Sequence, residues 1–340
     1  MANSAPVVLA YSRSDEGHRA SYMRTAGRYL GAQRIRTPAV FFASAPVLFL
    51  MIEEAFALYV FACFWRSLFG RRTVGLLFRP KPALEGRSLR HRVKRGLLKR
   101  LKGLHPARTL TIVPFEDCPG AAEIADGWIY DFQLWDLEPC DHERFRAARG
   151  RNEDCPDSLA GAVRQAAGDR LVISAIGAQN RRKGFGLLAG HYACGPVRER
   201  WLFAFGGKVD AEMAGASAEL ARNGGFVADR TVSDEELTEL YAASDLVWCF
   251  YAADYDQASG VLGRAAQYSV PVLVRSRSLS HRLCAREGIA HIDATEETLG
   301  DTLHGPLPLA DSRMAGERSR RFAASSLATL REALGGGSVR

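Results

Sequence analysis

Residues 254–274 read DYDQASGVLGRAAQYSVPVLV. Two acids and Gln257 run into Ser259 and Gly260, an Ala-rich apolar segment follows, and Val-Pro-Val-Leu-Val closes the stretch as a short buried strand. The pattern predicts a helix that opens at Ser259-Gly260 and feeds a strand of a parallel sheet. A small-residue turn at the mouth of a helix leaves the first backbone N–H groups free, and Arg264 stands one turn inside it.

The chain around this stretch has 340 residues, 47% of them hydrophobic, enough for two domains of ordinary size with a core each. Its 7 cysteines are scattered without a C-x-x-C pair, and the odd count argues against a disulfide framework or zinc ribbon, so a reducing cytoplasm is expected. The first residues lack a basic stretch followed by a long apolar one, and no secretory signal is expected.

The net charge of +7 is concentrated locally: Arg87–Lys102 holds 8 Lys/Arg and no acid. Leu89, Val93, Leu97, Leu101 and Leu104 recur at helical spacing, which predicts a basic amphipathic helix with these residues along one face. Such a helix suits an anionic membrane surface, through Arg90, Arg95, Lys99 and Lys102. Packing on its own domain with solvated cations is the plain alternative. Nucleic acid is disfavoured, because the segment has no aromatic residues to stack on bases. The apolar stretch 37–65 is long enough to suggest a membrane span, but Glu53 and Glu54 sit in its middle at high cost in a bilayer. A buried helix of the first domain is expected there, with a segment dipping into one leaflet as the alternative.

Strands and helices alternate twice. The first series comprises a strand at 7–12, a helix from His18 to Leu30, the apolar helix, a strand in TVGLLFRP, the basic helix, then LTIVPFE and WIYDFQLWD. Residues 139–156 are polar with little periodicity and read as an interdomain crossing. The second series runs through LVISAIG, a helix opened by NRRKGFGLLAGHYA, RWLFAFGG, GFVA and a helix capped by Ser233 with Glu236 in a capping box. LVWCFYAAD and the opening stretch complete it. The predicted class is α/β, two Rossmann-like parallel-sheet domains facing across a cleft: residues 1–150, residues 151–320, and a C-terminal helix and tail at 321–340.

Three segments in order, IGAQNRRKGFGLL, RTVSDEELTELYAASDLVW and DYDQASGVLGRAAQYSVPVLV, give residues Leu171–Arg282 a resemblance to the donor domain of type-B glycosyltransferases, most like family 4. In the first half, SRSDEGHRASYMRTAGRYL is similar to the first loop and helix of the acceptor domain. The resemblance implies a nucleotide-sugar donor whose diphosphate leaves with negative charge, which calls for cations and N–H groups aimed at its oxygens. Lys183 matches the family's Lys before Gly at the diphosphate. Relatives carry a further Arg upstream, where this chain has Gly177 and Ala178, and either Arg181 or Arg182 substitutes.

Ser259, Gly260, Val261 and Leu262 are the expected diphosphate-binding residues, with Gly260 admitting a phosphate close to the backbone. Relatives have two Glu across this turn, at positions matched here by Asp256 and Arg264, with Gln257 beside the first. Two roles are open for Arg264: donating to ribose or phosphate oxygens, or pairing with Asp256 or a neighbouring acid and closing the pocket wall. Lys183, Arg182 and His18 are the catalytic candidates. Gly177 and Arg181 complete the donor side, and Asp15, Gly17 and Glu116 form the acceptor side.

The expected activity is metal-independent, hexosyltransferase-type transfer from a nucleotide sugar, used as substrate with no cofactor, to a lipid-linked or cell-surface glycan. Retention of configuration follows from the resemblance, and the expected place is the cytoplasmic face of the membrane. A catalytically silent member of the fold acting as a membrane-associated scaffold, and a nucleotide-sugar epimerase, are the alternatives.

Overall fold

The computed structural model describes residues 8–14, 18–150 and 157–335. The chain forms two compact units, Met1–Phe132 with Arg320–Arg340, and Gln133–Ser319. It returns to the first unit within the helix Ser312–Leu334.

The first unit is built on six parallel strands: β1 (Leu9–Tyr11), β2 (Gln33–Arg34), β3 (Val47–Phe49), β4 (Thr73–Leu77), β5 (Ala107–Thr111) and β6 (Gly127–Trp128), in the order β2-β1-β3-β4-β5-β6. The order reverses direction between β1 and β3, the kind of switch point at which open α/β sheets bind ligands. β4 is buried along its whole length, as a central parallel strand covered on both faces must be. Gly75 in β4 is required by packing, because a Cβ there would lie 2.5 Å from Cε2 of Tyr59.

The apolar stretch 37–65 is not one buried helix. It divides into a short helix Ala39–Phe42, strand β3, a 3₁₀ turn Ile52–Glu54 and the start of a helix Phe56–Ser67. A run apolar on every side gives no period to separate strand from helix, and the β3 segment fills the sheet. Among the described residues, no helix is long and apolar enough to cross a membrane. The helix Leu89–Lys102 forms as expected, with Ser88 accepting from the His91 N–H at its start, but its apolar face is turned. Leu98 and Leu101 are buried, while Leu89 and Val93 are exposed.

Arg66 is the unusual group of this core: fully buried, with no carboxylate partner among the described residues, its guanidinium donates to the carbonyls of Val40, Ala43, Ala45 and Arg72 at 2.6–3.0 Å and to Thr73 Oγ1 at 2.9 Å. Burial pulls its pKa down to about 10. The planar fork thereby ties the segment between Ala39 and β3 to the start of β4.

The second unit carries β7 (Leu171–Ile176), β8 (Trp201–Gly207), β9 (Phe226–Asp229), β10 (Leu246–Cys249), β11 (Val272–Arg275) and β12 (His291–Ala294), all parallel, in the order β12-β11-β10-β7-β8-β9. This is the doubly wound dinucleotide-fold order, with its switch point between β7 and β10. Ser233 and Glu236 make the expected capping box on the helix Asp234–Ala243. Residues 139–150, expected as an irregular crossing, form a helix, and 151–156 lie outside the described residues. Only Phe145 of that helix is buried, stacked on Tyr268 at 4.4 Å, and one apolar contact leaves no periodicity to read. The same packing places the 139–150 helix in the second unit, so the units part at Phe132/Gln133 instead of near residue 150.

Replacing Arg66 by Met would take a donor from four carbonyls, of which that of Arg72 keeps the Val47 N–H, and leaving even one buried polar group unpaired costs about 1–3 kcal/mol. Arg66→Met is expected to lower the stability of the first unit by at least about 3 kcal/mol in urea denaturation, with Arg66→Lys intermediate. A midpoint equal to that of the parent would show that the clamp contributes nothing.

Candidate functional site

The loop after β7 is built to hold a cation at the switch point of the second sheet. Gly177 turns it with φ 77°, and the Asn180 side chain accepts from the Lys183 N–H at 3.1 Å, shaping the 3₁₀ turn Arg181–Lys183. Gly184 follows with φ 75°, and a Cβ there would lie 2.3 Å from the Phe250 carbonyl, so the Lys-Gly pair requires its glycine twice over. Two bonds fasten the turn to the end of β10: Trp248 Nε1 donates to the Lys183 carbonyl at 3.0 Å, and the Ala252 N–H to the Arg182 carbonyl at 2.9 Å.

Lys183 is thereby half-buried, and burial lowers its pKa, partly offset by Cys249 and Asp210. It makes no ion pair among the described residues. Arg181 and Arg182 are exposed, with Arg182 Nε 3.6 Å from Asp254 Oδ2.

The helix predicted at Ser259 spans Gly260–Tyr268. Ser259 Oγ accepts from the Leu262 N–H at 3.2 Å and shares a 2.7 Å hydrogen bond with the Tyr251 hydroxyl. Cys249 lies in the same cluster, its thiol pushed up to about 12 by burial although Tyr251, Lys183 and Ser259 draw it back. The Leu262 side chain is core and its N–H is already capped, which leaves the N–H groups of Gly260 and Val261 as the open donors of this turn.

Gly260 has a different neighbour from the one its sequence suggests. A Cβ at Gly260 would meet Gln133 Oε1 at 1.9 Å, and one at Gly263 would meet the Gln133 carbonyl at 2.5 Å. Both glycines admit the close approach of Gln133, a role that residues so distant in the chain do not disclose.

Arg264 pairs with buried Asp136, Nη2 to Oδ2 at 2.9 Å, and Gln267 joins the same network by donating to Asp136 Oδ1 at 3.2 Å and to the Gln133 carbonyl at 2.8 Å while accepting from the Leu137 N–H at 3.1 Å. Of the two roles open for Arg264, pairing with an acid is the one seen. The acid is Asp136, and Asp256 instead accepts from the Leu279 N–H at 2.7 Å at the start of the helix Leu279–Glu287.

Gln257 is partly buried beside Asp256. Asp254 and Asp256 stand at a spacing that can hold a metal, but one carboxylate turns to Arg182 and the other to Leu279. His281, His291 and Asp293 lie near enough to share an ion, yet His281 Nδ1 already accepts the Arg277 N–H at 2.9 Å, which keeps its proton on Nε2, the atom turned to Asp293 at 3.9 Å.

In the first unit, Asp15 and Gly17 lie outside the described residues, and His18 begins the helix His18–Leu30. Glu116 is exposed in the loop after β5. Glu53 carries no sequence signal that selects it for chemistry. It follows β3 at the switch point, Oε1 accepts from the Arg79 N–H at 2.6 Å, and its buried Oε2 has no hydrogen-bond partner among the described residues. Burial raises its pKa, with Lys94 and the N–H groups of Arg79, Glu53 and Phe78 opposing, and burial in turn lowers that of Lys94. Beside it, Glu54 is held by the Arg19 guanidinium, Nε to Oε1 at 2.7 Å.

No protein-family model matches the chain, and no curated protein is similar to it in sequence. Solved structures are similar in fold. HepE of Anabaena, in complex with UDP, is 14% identical with a TM-score of 0.62, over 96% of this chain and 98% of that one. An α,α-trehalose-phosphate synthase (UDP-forming) from Burkholderia vietnamiensis is 11% identical with a TM-score of 0.62, over 99% of both chains. WaaG, a glycosyltransferase involved in lipopolysaccharide biosynthesis, is 14% identical with a TM-score of 0.53, over 97% of this chain and 100% of that one. The fold is that of the type-B glycosyltransferases, two parallel-sheet units of the Rossmann kind.

Asp136→Ala would remove the carboxylate that holds Arg264 and an acceptor of Gln267, so a loss of about 3–5 kcal/mol is expected in chemical denaturation. Adding Arg264→Met should recover part of it, and full additivity of the two changes would show that the pair does not couple. For Glu53, a folded pKa raised above the ordinary 4.5 means that the native state prefers the proton. Its stabilising contribution is complete below pH about 4.5 and is lost as pH rises through the folded value. The Tm of Glu53→Gln relative to the parent should therefore rise with pH above that point and stay level below it. A pH-independent difference would contradict the raised pKa.

Proposed function

We propose that this protein is a glycosyltransferase moving a hexosyl group from a nucleoside-diphosphate sugar to a glycan that is lipid-linked or at the cell surface. The observation that carries the proposal is Lys183, a partly desolvated cation without an ion-pair partner, next to a switch-point helix start with two open N–H donors. A half-buried cation with no ion-pair contact can take an anionic ligand, and a diphosphate is one. The UDP held by HepE supports the donor class, and the part of WaaG in lipopolysaccharide biosynthesis supports the glycan acceptor.

In the reaction the acceptor hydroxyl oxygen bonds to the anomeric carbon while the bond to the diphosphate oxygen breaks, and the leaving diphosphate keeps the electron pair. Its charge grows as the bond breaks, so Lys183 and the N–H groups of Gly260 and Val261 stabilise the transition state more than the bound donor. No metal is assigned a role, and retention of configuration is proposed from the resemblance to family 4. His18, at the start of the helix after β1, and Glu116, in the loop after β5, are proposed on the acceptor side together with Asp15 and Gly17. Arg264 is proposed as part of the pocket wall, because its guanidinium is engaged by Asp136.

A silent, nucleotide-binding member of the fold remains the second reading, favoured by one observation: the position where relatives place a carboxylate holds a guanidinium tied to an acid.

Nucleoside diphosphates and their sugars should raise the Tm, by an amount equivalent to about 2.7 kcal/mol at a hundred times the dissociation constant. Lys183→Ala should reduce kcat/KM for the stabilising donor by about 10²–10³-fold, as removal of one oxyanion donor does elsewhere. Stabilisation of the parent without transfer to any acceptor would select the silent reading. Unchanged activity in Lys183→Ala would remove that residue from the site.

A further inference from the structure

The first unit leaves an apolar helix face uncovered. Along Phe56–Ser67 and the turn after it, the exposed positions are Ala57, Phe61, Phe64 and Leu68, spaced four, three and four apart, which is one stripe of an α-helix. Phe61 is 58% exposed, Phe64 41% and Leu68 77%. The opposite face, with Tyr59, Val60, Ala62, Cys63 and Arg66, is buried in the core, which fixes the helix and leaves the stripe facing outward. Phe42 and Phe69 extend the stripe as further exposed rings, and Phe41 packs edge-on against Phe61 with ring centroids 5.2 Å apart. Arg71 borders it, its guanidinium 5.2 Å from the Phe69 ring centre and bonded to the Phe42 carbonyl at 2.8 Å.

A second exposed apolar pair lies on the basic helix, Leu89 at 68% and Val93 at 51%. The two helices pack together in the same core, with Lys94 of the basic helix 5.2 Å from the ring centre of Phe56.

The cations divide into two sets. Arg95 and Lys99 pair with Glu123 at 2.6 and 2.8 Å, and Lys102 donates to the Ala122 carbonyl, so three of the four cations expected to face a membrane are engaged within their own unit. Arg90, Arg92 and Arg100 are exposed and without an ion pair among the described residues.

We infer that this face docks on an anionic lipid surface, with Phe61, Phe64 and Leu68 entering the interface and Arg71, Arg90 and Arg92 meeting headgroups. The charge pattern selects this occupant. From Ala55 to Arg72 and from Arg87 to Leu104 there are cations but no acid, and Glu123, the acid paired with the basic helix, is taken up by Arg95 and Lys99, so the two segments add only positive charge to the exposed rings. A second copy of the chain docked on the same face would set arginine against arginine, since a two-fold contact is self-complementary. Aromatic rings with an arginine at their edge match the bilayer interface, where rings lie at headgroup level and long cations reach to phosphate. The inference stands on this face alone and does not require the transfer reaction.

The test is co-sedimentation of the full chain with vesicles of phosphatidylcholine alone and with added phosphatidylglycerol. The parent should sediment with the anionic vesicles, and Phe61→Ser/Leu68→Ser should lower the partition at least tenfold. Arg90→Gln/Arg92→Gln should lower it less and remove most of its salt dependence. All substituted residues are exposed, so Tm and nucleotide-induced stabilisation should match the parent, which separates failure of this inference from failure of the donor reading. Absence of sedimentation by the parent, binding by Phe61→Ser/Leu68→Ser equal to the parent's, or a parent dimer that this variant converts to monomer would each overturn the inference. The last would make the face an interface between copies.

Discussion

In the second unit the placement of the helix Gly260–Tyr268 depends on a buried polar knot. Asp136 holds Arg264 and Gln267, and Gln267 holds the backbone at Gln133 and Leu137. Every member of that knot has a partner, the condition under which a buried polar group specifies geometry without an uncompensated desolvation cost. The consequence is local and strict. With Gln133 pressed on the helix start, a Cβ at residue 260 or 263 would collide with it.

The helix start matters because the same sheet supplies the cation. The switch point between β7 and β10 puts the loop carrying Lys183 beside the segment that ends in Ser259, and the contacts Trp248 Nε1 to Lys183 carbonyl and Ala252 N–H to Arg182 carbonyl fix their spacing through backbone atoms. A lysine partly withdrawn from water, with Asp210 acting on it without an ion-pair contact, is costly to maintain in an empty protein. Its presence is economical when an anion is bound.

The first unit solves a different problem. Arg66 satisfies four carbonyls so that an irregular segment can lie against β4, and this frees the opposite face of its helix to carry rings that face outward. One helix therefore uses its inner side for a buried guanidinium clamp and its outer side for an apolar stripe, a division that total hydropathy averages away.

Periodicity and capping chemistry made most elements legible. The helix His18–Leu30, the strands around LVISAIG, RWLFAFGG and PVLV, and the Ser233 and Glu236 box follow from local patterns, because each is set by neighbours within a few residues. β3 was hidden in a uniformly apolar run, and the helix Pro139–Gly150 in a polar one, since neither carries a period. β2, only Gln33–Arg34, and β12 gave too little signal to be counted. For the site, the turns at Lys183 and Ser259 were legible, since the 3₁₀ turn Arg181–Lys183 and the Ser259 cap depend on neighbours within a few residues. The sequence did not disclose why Gly260 is glycine, which acid Arg264 meets, or that Glu53 keeps an unpaired oxygen, because each answer lies with a partner many residues away: Gln133, Asp136, and the packing of Arg79 and Lys94 around the carboxyl. Local chemistry is written in adjacent residues, whereas the pairing of buried polar groups and the choice of which face of a helix stays uncovered are decided only when distant segments meet.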